Sequence, residues 1–286
     1  MQASRNFDRI RHGSFTLVEL LAAMAVLSIL VLMLAGMVNQ AFRQLTQGQN
    51  QAQTLQTLRA VSHMIGQDMQ GAILPLNPTN QTSFQFVQNP DGTGAYQNHD
   101  AIFWQTAVVN NSTNSDIACV GYFVMWDTTN PRPVAKLCRF YDDSTDIVNY
   151  YNYTNSTGEW ISDTFLQNVA PATSTHDYKG MLAENVIGFW VNFGAVDALG
   201  NPVTPPLSNP FNSRTDHRLP TDATLTYAFV NPSAAQRITA GEIPQIQSAC
   251  SSYTTNSPSS FINNLPASLR PEVHIYSTRV LFRTSN

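Results

Sequence analysis

Hydrophobic positions divide the chain at about residue 70. From Leu20 to Val38 there are 19 consecutive uncharged residues, and Ser28 is the only polar side chain among them. At a rise of about 1.5 Å per residue this run predicts a helix long enough for a hydrocarbon core of about 30 Å. Glu19 sits at its N-terminal edge. A carboxylate at membrane depth is costly, so its presence predicts a partner for the charge. Beyond Val38 the apolar positions continue at Phe42, Leu45, Ala52, Leu55, Leu58, Ile65 and Met69, on an otherwise Gln-rich background. Their spacing predicts an amphipathic continuation packed on a core in its C-terminal half. No proline interrupts residues 15–74, so the pattern predicts one helix over 15–70, about 84 Å long if unbroken. Its transmembrane part would cover about 20–38 and its amphipathic part 39–70, with Gly48 as a place for a bend.

After Gly71 and Pro75 the period changes. β-branched and aromatic runs alternate with Asn, Pro, Gly and Ser clusters, the pattern of short strands and long loops. Strands are expected at Ser83–Val87, Ala101–Val109, Ile117–Trp126, Val134–Tyr141, Asn185–Phe193, Thr224–Val230 and Val273–Phe282. In the fifth of these, Ile187, Phe189, Val191 and Phe193 would share one face. Loops are expected at 110–116, 152–158, 200–222 and 247–260. The expected fold is therefore α+β: a long N-terminal helix, membrane-spanning in its first half, packed on an antiparallel β-rich head over 71–286.

Charge sharpens the picture at the N-terminus. Only 12% of residues are charged and the net charge is −4, a composition suited to an extracytoplasmic domain. The first 14 residues hold Arg5, Arg9 and Arg11 against Asp8. By the positive-inside rule they place the N-terminus in the cytoplasm and the head across the membrane. Without that leader the remainder is more acidic, and no basic patch remains for a nucleic-acid backbone. A secretory signal would have a shorter apolar region and an A-x-A-like site after Val38, where the chain reads NQAFRQ. An uncleaved anchor, or a segment cut on its N-terminal side, fits better.

Chemistry-bearing motifs are sparse. The six histidines are scattered, and no HExxH, G-x-S-x-G, P-loop or G-x-G-x-x-G occurs, so neither a metal site, a cofactor nor a catalytic centre is expected. Asp142, Asp143 and Asp146 could offer oxygens to calcium, but lack the glycine and glutamate of a calcium loop. Asp216, His217 and Asp222, with Arg214 and Arg218, read as surface. Tyr150, Tyr151, Tyr153 and Trp160 are the one hint of a ligand-binding head. Of the three cysteines, Cys119 and Cys138 would face each other if their strands formed a hairpin around 127–130 with Phe123 opposite Val134. A disulfide or two buried thiols would both satisfy that register.

The string Gly13-Ser14-Phe15-Thr16-Leu17-Val18-Glu19-Leu20-Leu21, after a basic leader and before an apolar helix, resembles the processing site of type IV pilin-like proteins. The resemblance implies a prepilin peptidase that cuts before Phe15 and N-methylates it. It makes residues 1–14 a leader and Glu19 the fifth residue of the mature chain. That glutamate would pair with the new α-amine of a neighbouring subunit. The family has Gly directly before the Phe, whereas Ser14 intervenes here. A cut after Ser14 keeps the glutamate in register, and a cut after Gly13 would make it sixth. Implied partners are the peptidase, other pilin or pseudopilin subunits through the helix, and inner-membrane lipid. The head, about 215 residues, is large for a major subunit and is similar to those of minor subunits. Ile65-Gly-Gln-Asp-Met-Gln-Gly-Ala72 resembles the J-type pseudopilins of type II secretion and the W-type minor pilins. Leu182–Ile187 and Ile275–Arg279 are similar to pilin-like cassette proteins of verrucomicrobia. An adhesive or receptor module on a membrane anchor or filament tip is the alternative; an anchored enzyme is the remote one.

Overall fold

The computed structural model describes residues 16–72, 86–88, 101–107, 117–128, 131–143, 177–196, 201–204, 206–207, 210–212, 216, 220–253 and 258–281. Helix α1 spans Leu17–Gln70 without interruption, Gly48 included. The strands are β1 (Phe86–Gln88), β2 (Ile102–Ala107), β3 (Ile117–Asp127), β4 (Val134–Asp143), β5 (Asp177–Glu184), β6 (Val186–Gly194), β7 (Asp222–Val230) and β8 (Val273–Leu281). Between β7 and β8 lie short helices α2 (Pro232–Ala235), α3 (Ile243–Ser251) and α4 (Pro258–Asn264). The architecture is α+β, a long N-terminal helix followed by antiparallel sheets. Contacts divide the chain into two compact units, Met1–Gln49 and Asn50–Asn286, so the C-terminal part of α1 belongs to the same unit as the strands.

Among the described residues the strands form two antiparallel sheets, β1-β2-β3-β4-β5 and β6-β7-β8. The chain changes sheet at one residue, Asn185. Its φ is 62°, a left-handed conformation that Asn tolerates better than most side chains. Its amide donates to the Ala135 carbonyl of β4 at 2.8 Å, and its carbonyl accepts from Val230 of β7 at 3.0 Å. One backbone unit thus fastens both sheets at their junction.

The main core lies between the sheets and the end of α1. Leu58, Val61, Ile65 and Met69 join Trp104, Tyr122 and Leu137 of the first sheet and Phe189, Leu225 and Tyr227 of the second. The buried helix positions recur at spacings of three and four, which is one face of an α-helix. A second core lies on the other face of the three-stranded sheet, where Ile187, Trp190, Ala228 and Val230 are covered by Ile246, Phe261 and Leu265. Trp190 is held there on three sides. It stacks on Tyr253 at 4.1 Å, meets Phe261 edge-on at 5.0 Å, and donates Nε1–H to the Cys250 carbonyl at 3.2 Å.

Several sequence expectations change. Ile187 does not share a face with Phe189 and Val191, because the β6–β7 register shifts between Val186 and Gly188. A bulge of this kind inserts one residue and reverses the alternation, so Ile187 enters the second core and Val186 the first. β5 was not expected at all. The interval 247–260 contains the end of α3 and the start of α4 rather than only loop. Within the expected loop at 200–222, Phe211 is fully buried and packs on Phe193 at 5.2 Å.

Candidate processing and assembly site

The start of α1 is built by two side chains. The amide and hydroxyl of Thr16 donate to Glu19 Oε2 at 3.0 and 2.9 Å, and the Glu19 amide donates back to Thr16 Oγ1 at 3.3 Å. This reciprocal pairing is a capping box: it satisfies amides that have no partner within the helix. The T-x-x-E spacing was visible in the sequence as its signature. Glu19 is exposed, so an oxygen of its carboxylate remains accessible to a cation from outside. Gly13, Ser14 and Phe15 lie outside the described residues.

Every large apolar side chain from Leu17 to Leu45 is exposed, Leu17 at 75% and Leu32 at 73% among them. The helix is long and apolar enough to cross a membrane. Ser28, the polar exception, donates to the Met24 carbonyl at 2.8 Å. Its hydroxyl is thereby satisfied within the helix, as a polar group in lipid would have to be. Alanines 22, 23, 25 and 35 with Gly36 leave short side chains on this surface, which permits close approach of another helix.

The C-terminal end of α1 is gripped by both sheets. Asp68 Oδ2 accepts from Tyr122 Oη at 2.5 Å and from Arg139 Nε at 2.9 Å, and Arg139 Nε also approaches Tyr122 Oη at 3.2 Å. The Asp68 carbonyl accepts from Trp104 Nε1 at 3.2 Å and Thr106 Oγ1 at 3.0 Å. Four groups from three strands therefore converge on one helical residue. The side chains of Arg139 and Asp68 are 12% and 20% exposed. Burial, then the Asp68 charge, push the Tyr122 phenol well above its usual range, with Arg139 opposing. For Arg139, burial lowers the pKa, but Tyr122 and Asp68 together outweigh it and raise the guanidinium. On the other sheet, Ser62 donates to the Leu58 carbonyl at 2.7 Å and meets Tyr227 Oη at 2.9 Å. Burial raises the Tyr227 phenol, while this bond to Ser62 lowers it in part. Gly66 allows the helix to touch β8, since a Cβ there would lie 2.6 Å from Val280 Cγ1.

The cysteine register differs from expectation. β3 pairs with β4 over ten residues, with Asp127 opposite Val134, Phe123 opposite Cys138 and Cys119 opposite Asp142. Pro131 and Pro133 have no amide to donate, so β4 begins at Val134. There Lys136 Nζ meets Asp127 Oδ2 at 2.6 Å and holds the turn end of the ladder. Four residues of offset thus separate Cys138 from the partner Cys119 that the disulfide required, and Cys138 is a buried thiol. Cys250 is a second buried thiol, its Sγ 3.3 Å from the Ile187 carbonyl, and burial raises its pKa.

Asp222 is not a surface residue. It is 6% exposed, and Oδ2 accepts from Arg279 Nε at 2.8 Å. Gly194 opposite it leaves room for the carboxylate. Asp216 is half-buried, while Arg214, His217 and Arg218 lie outside the described residues, as do Asp146 and Tyr150, Tyr151, Tyr153 and Trp160. Asp142 and Asp143 end β4. Among the described residues no cluster of His, Cys, Asp or Glu is arranged to hold a metal ion.

An exposed apolar helix opened by Thr16 and Glu19, whose far end is gripped by antiparallel sheets, has a pilin-like architecture. Residues 9–35 match the prokaryotic N-terminal methylation motif, which marks type IV pilin-like proteins processed by prepilin peptidase. No curated protein and no solved structure matches the chain.

Proposed function

We propose that this chain is a minor pilin or pseudopilin, assembled through its N-terminal helix into a type IV pilus or a type II secretion-like pseudopilus. The observation that carries the reading is the methylation motif at 9–35 running directly into the exposed apolar face of α1. Prepilin peptidase would remove residues 1–14 between Ser14 and Phe15 and methylate the new amine, leaving Glu19 fifth. The three leader arginines favour an N-terminus in the cytoplasm and a head in the periplasm. The size of the head favours a minor subunit. The resemblance of Ile65–Ala72 to J-type and W-type subunits supports one of those roles; the phrase contains Gly66 and Asp68, two of the residues by which α1 meets the sheets.

During assembly α1 would exchange lipid for other helices, and Glu19 would exchange its Thr16 donors for the methylated amine of a neighbour. A carboxylate gains most from a charged, hydrogen-bonding partner when both leave water together. The test is twofold. Mass spectrometry of membrane-extracted protein should find an N-terminus at methylated Phe15; an intact Met1 would refute processing, and a start at Ser14 would move the cut. Glu19→Ala should still be cleaved yet be depleted from purified filaments, whereas Thr16→Ala, which loses the cap and keeps the carboxylate, should still co-assemble. Recovery of Glu19→Ala at wild-type level would overturn the assigned role.

A further inference from the structure

Strand β8 is nine residues long and is bonded to β7 along one side only among the described residues. It carries no proline, and its register with β7 contains no bulge. Proteins ordinarily guard strand edges with such devices or with unpaired charges. Arg279, the one permanent charge on β8, is turned to Asp222 within its own sheet. Leu281 is 67% exposed. Among the described residues the outer edge is therefore a row of main-chain groups with little to prevent another strand from joining.

Beside this edge runs a groove of about 420 Å³ between α1 and residues Tyr276–Leu281. Gly66 forms part of its wall, which brings helix backbone close to β8 without a side chain between. The lining includes Arg59, His63 and Arg279 and contains no carboxylate. Arg59 is exposed and makes no ion pair among the described residues. Main-chain groups offer affinity at such an edge and the neighbouring side chains select the occupant.

We infer that β8 accepts an extended, acidic segment of a partner protein as a fourth strand of the β6-β7-β8 sheet, with a carboxylate of that segment lying toward Arg59. Charge selects this occupant over a second copy of the chain. Two copies joined edge to edge along β8 would bring two Arg59 guanidiniums to one seam, and like charges set against each other suppress pairing. The inference concerns the head alone and does not depend on entry into a filament.

The test uses the full chain in detergent micelles and three synthetic eight-residue peptides. One alternates valine or threonine with glutamate, one has lysine in place of glutamate, and one is the glutamate peptide N-methylated at alternate amides. Amide hydrogen exchange over residues 273–281 is followed by mass spectrometry. The glutamate peptide should slow exchange in β8 by about tenfold or more at saturation, and the other two should not. Arg59→Glu should weaken the glutamate peptide about fivefold or more and admit the lysine peptide, with exchange in β6 and β7 unchanged. No slowing by the glutamate peptide would overturn the proposal, as would equal slowing by the lysine or N-methylated peptides. Concentration-dependent protection of β8 without peptide would assign the edge to a second copy and also overturn it. The peptide comparisons decide the matter even if Arg59→Glu fails to fold.

Discussion

Removing the Asp68 carboxylate should loosen the head more than any other single change at its polar contacts with α1. In Asp68→Ala, Tyr122 and Arg139 both lose their bonds to Oδ2, and the guanidinium, only 12% exposed, loses this counter-charge. Breaking a buried pair from one side costs about 3–5 kcal/mol. Asp68 is itself 20% exposed, which lets some water reach the vacated space, so a loss near about 3 kcal/mol is expected. The main-chain bonds from Trp104 and Thr106 to the Asp68 carbonyl survive the substitution and cap the damage. The double variant Asp68→Leu/Arg139→Met removes both charges at similar volume and should lose only about 1–2 kcal/mol, since a pair replaced by apolar groups is nearly neutral while the buried Tyr122 hydroxyl is left without either bond. Denaturant titration of the full chain in detergent, followed by tryptophan fluorescence, measures both; Trp104 reports directly from the site. A loss below about 1 kcal/mol in the single variant, or an equal loss in the double, would refute the reasoning.

Other outcomes follow from the same contacts. Gly66→Ala should destabilise the head by about 1–2 kcal/mol, the overpacking against Val280 outweighing the better helix propensity of alanine, and Val280→Ala should restore it in the same titration. Tyr122 and Tyr227 hold their protons more tightly when folded than in an unfolded chain, where a tyrosine titrates near about pH 10. Their contribution is therefore complete below that pH and is lost as pH rises above it; denaturation midpoints should fall between pH 9 and 11, and fall less in Tyr122→Phe/Tyr227→Phe. Cys138 and Cys250 should resist alkylation in the native protein and react fully in denaturant without reductant, as read by peptide mass spectrometry. A Cys119–Cys138 bridged peptide would contradict the β3–β4 register.

The parts of the fold that rest on long periodic patterns were legible in the sequence. The apolar run and the stripe through Leu55, Leu58, Ile65 and Met69 predict α1 to its last turn, and the β-branched runs locate most strands. Legibility failed where one residue changes a register or one contact crosses the fold. The bulge at Val186–Gly188 has no signature beyond a glycine, yet it sends Ile187 to the opposite core. β4 begins at Val134 as the prolines at 131 and 133 predict, but Val134 pairs with Asp127 rather than Phe123, and that four-residue shift separates the two cysteines. β5, with Gly180 and charges at both ends, lacks the alternation that marks a strand; it is held by pairing with β4. Helices α3 and α4 are too short and too rich in Ser, Gln and Asn to stand on propensity, and exist because they cover Trp190. At the site, Glu19 is conspicuous in the sequence as a charge beside an apolar run, and its T-x-x-E spacing from Thr16 is the signature of the cap. Asp68 looked like any polar helix position, because the groups that explain it come from strands 36 to 71 residues later.

The double grip on α1 also has a mechanical meaning. A subunit pulled along the axis of this helix meets its resistance between Leu58 and Met69, where one sheet holds Asp68 and the other holds Ser62 and seats Gly66. These attachments lie within about three turns of helix and on different strands, so an axial load reaches them together and in shear. None can be opened first like the tooth of a zipper. Force that reached the head by this route would be divided between two sheets, whose strands meet in turn at Asn185.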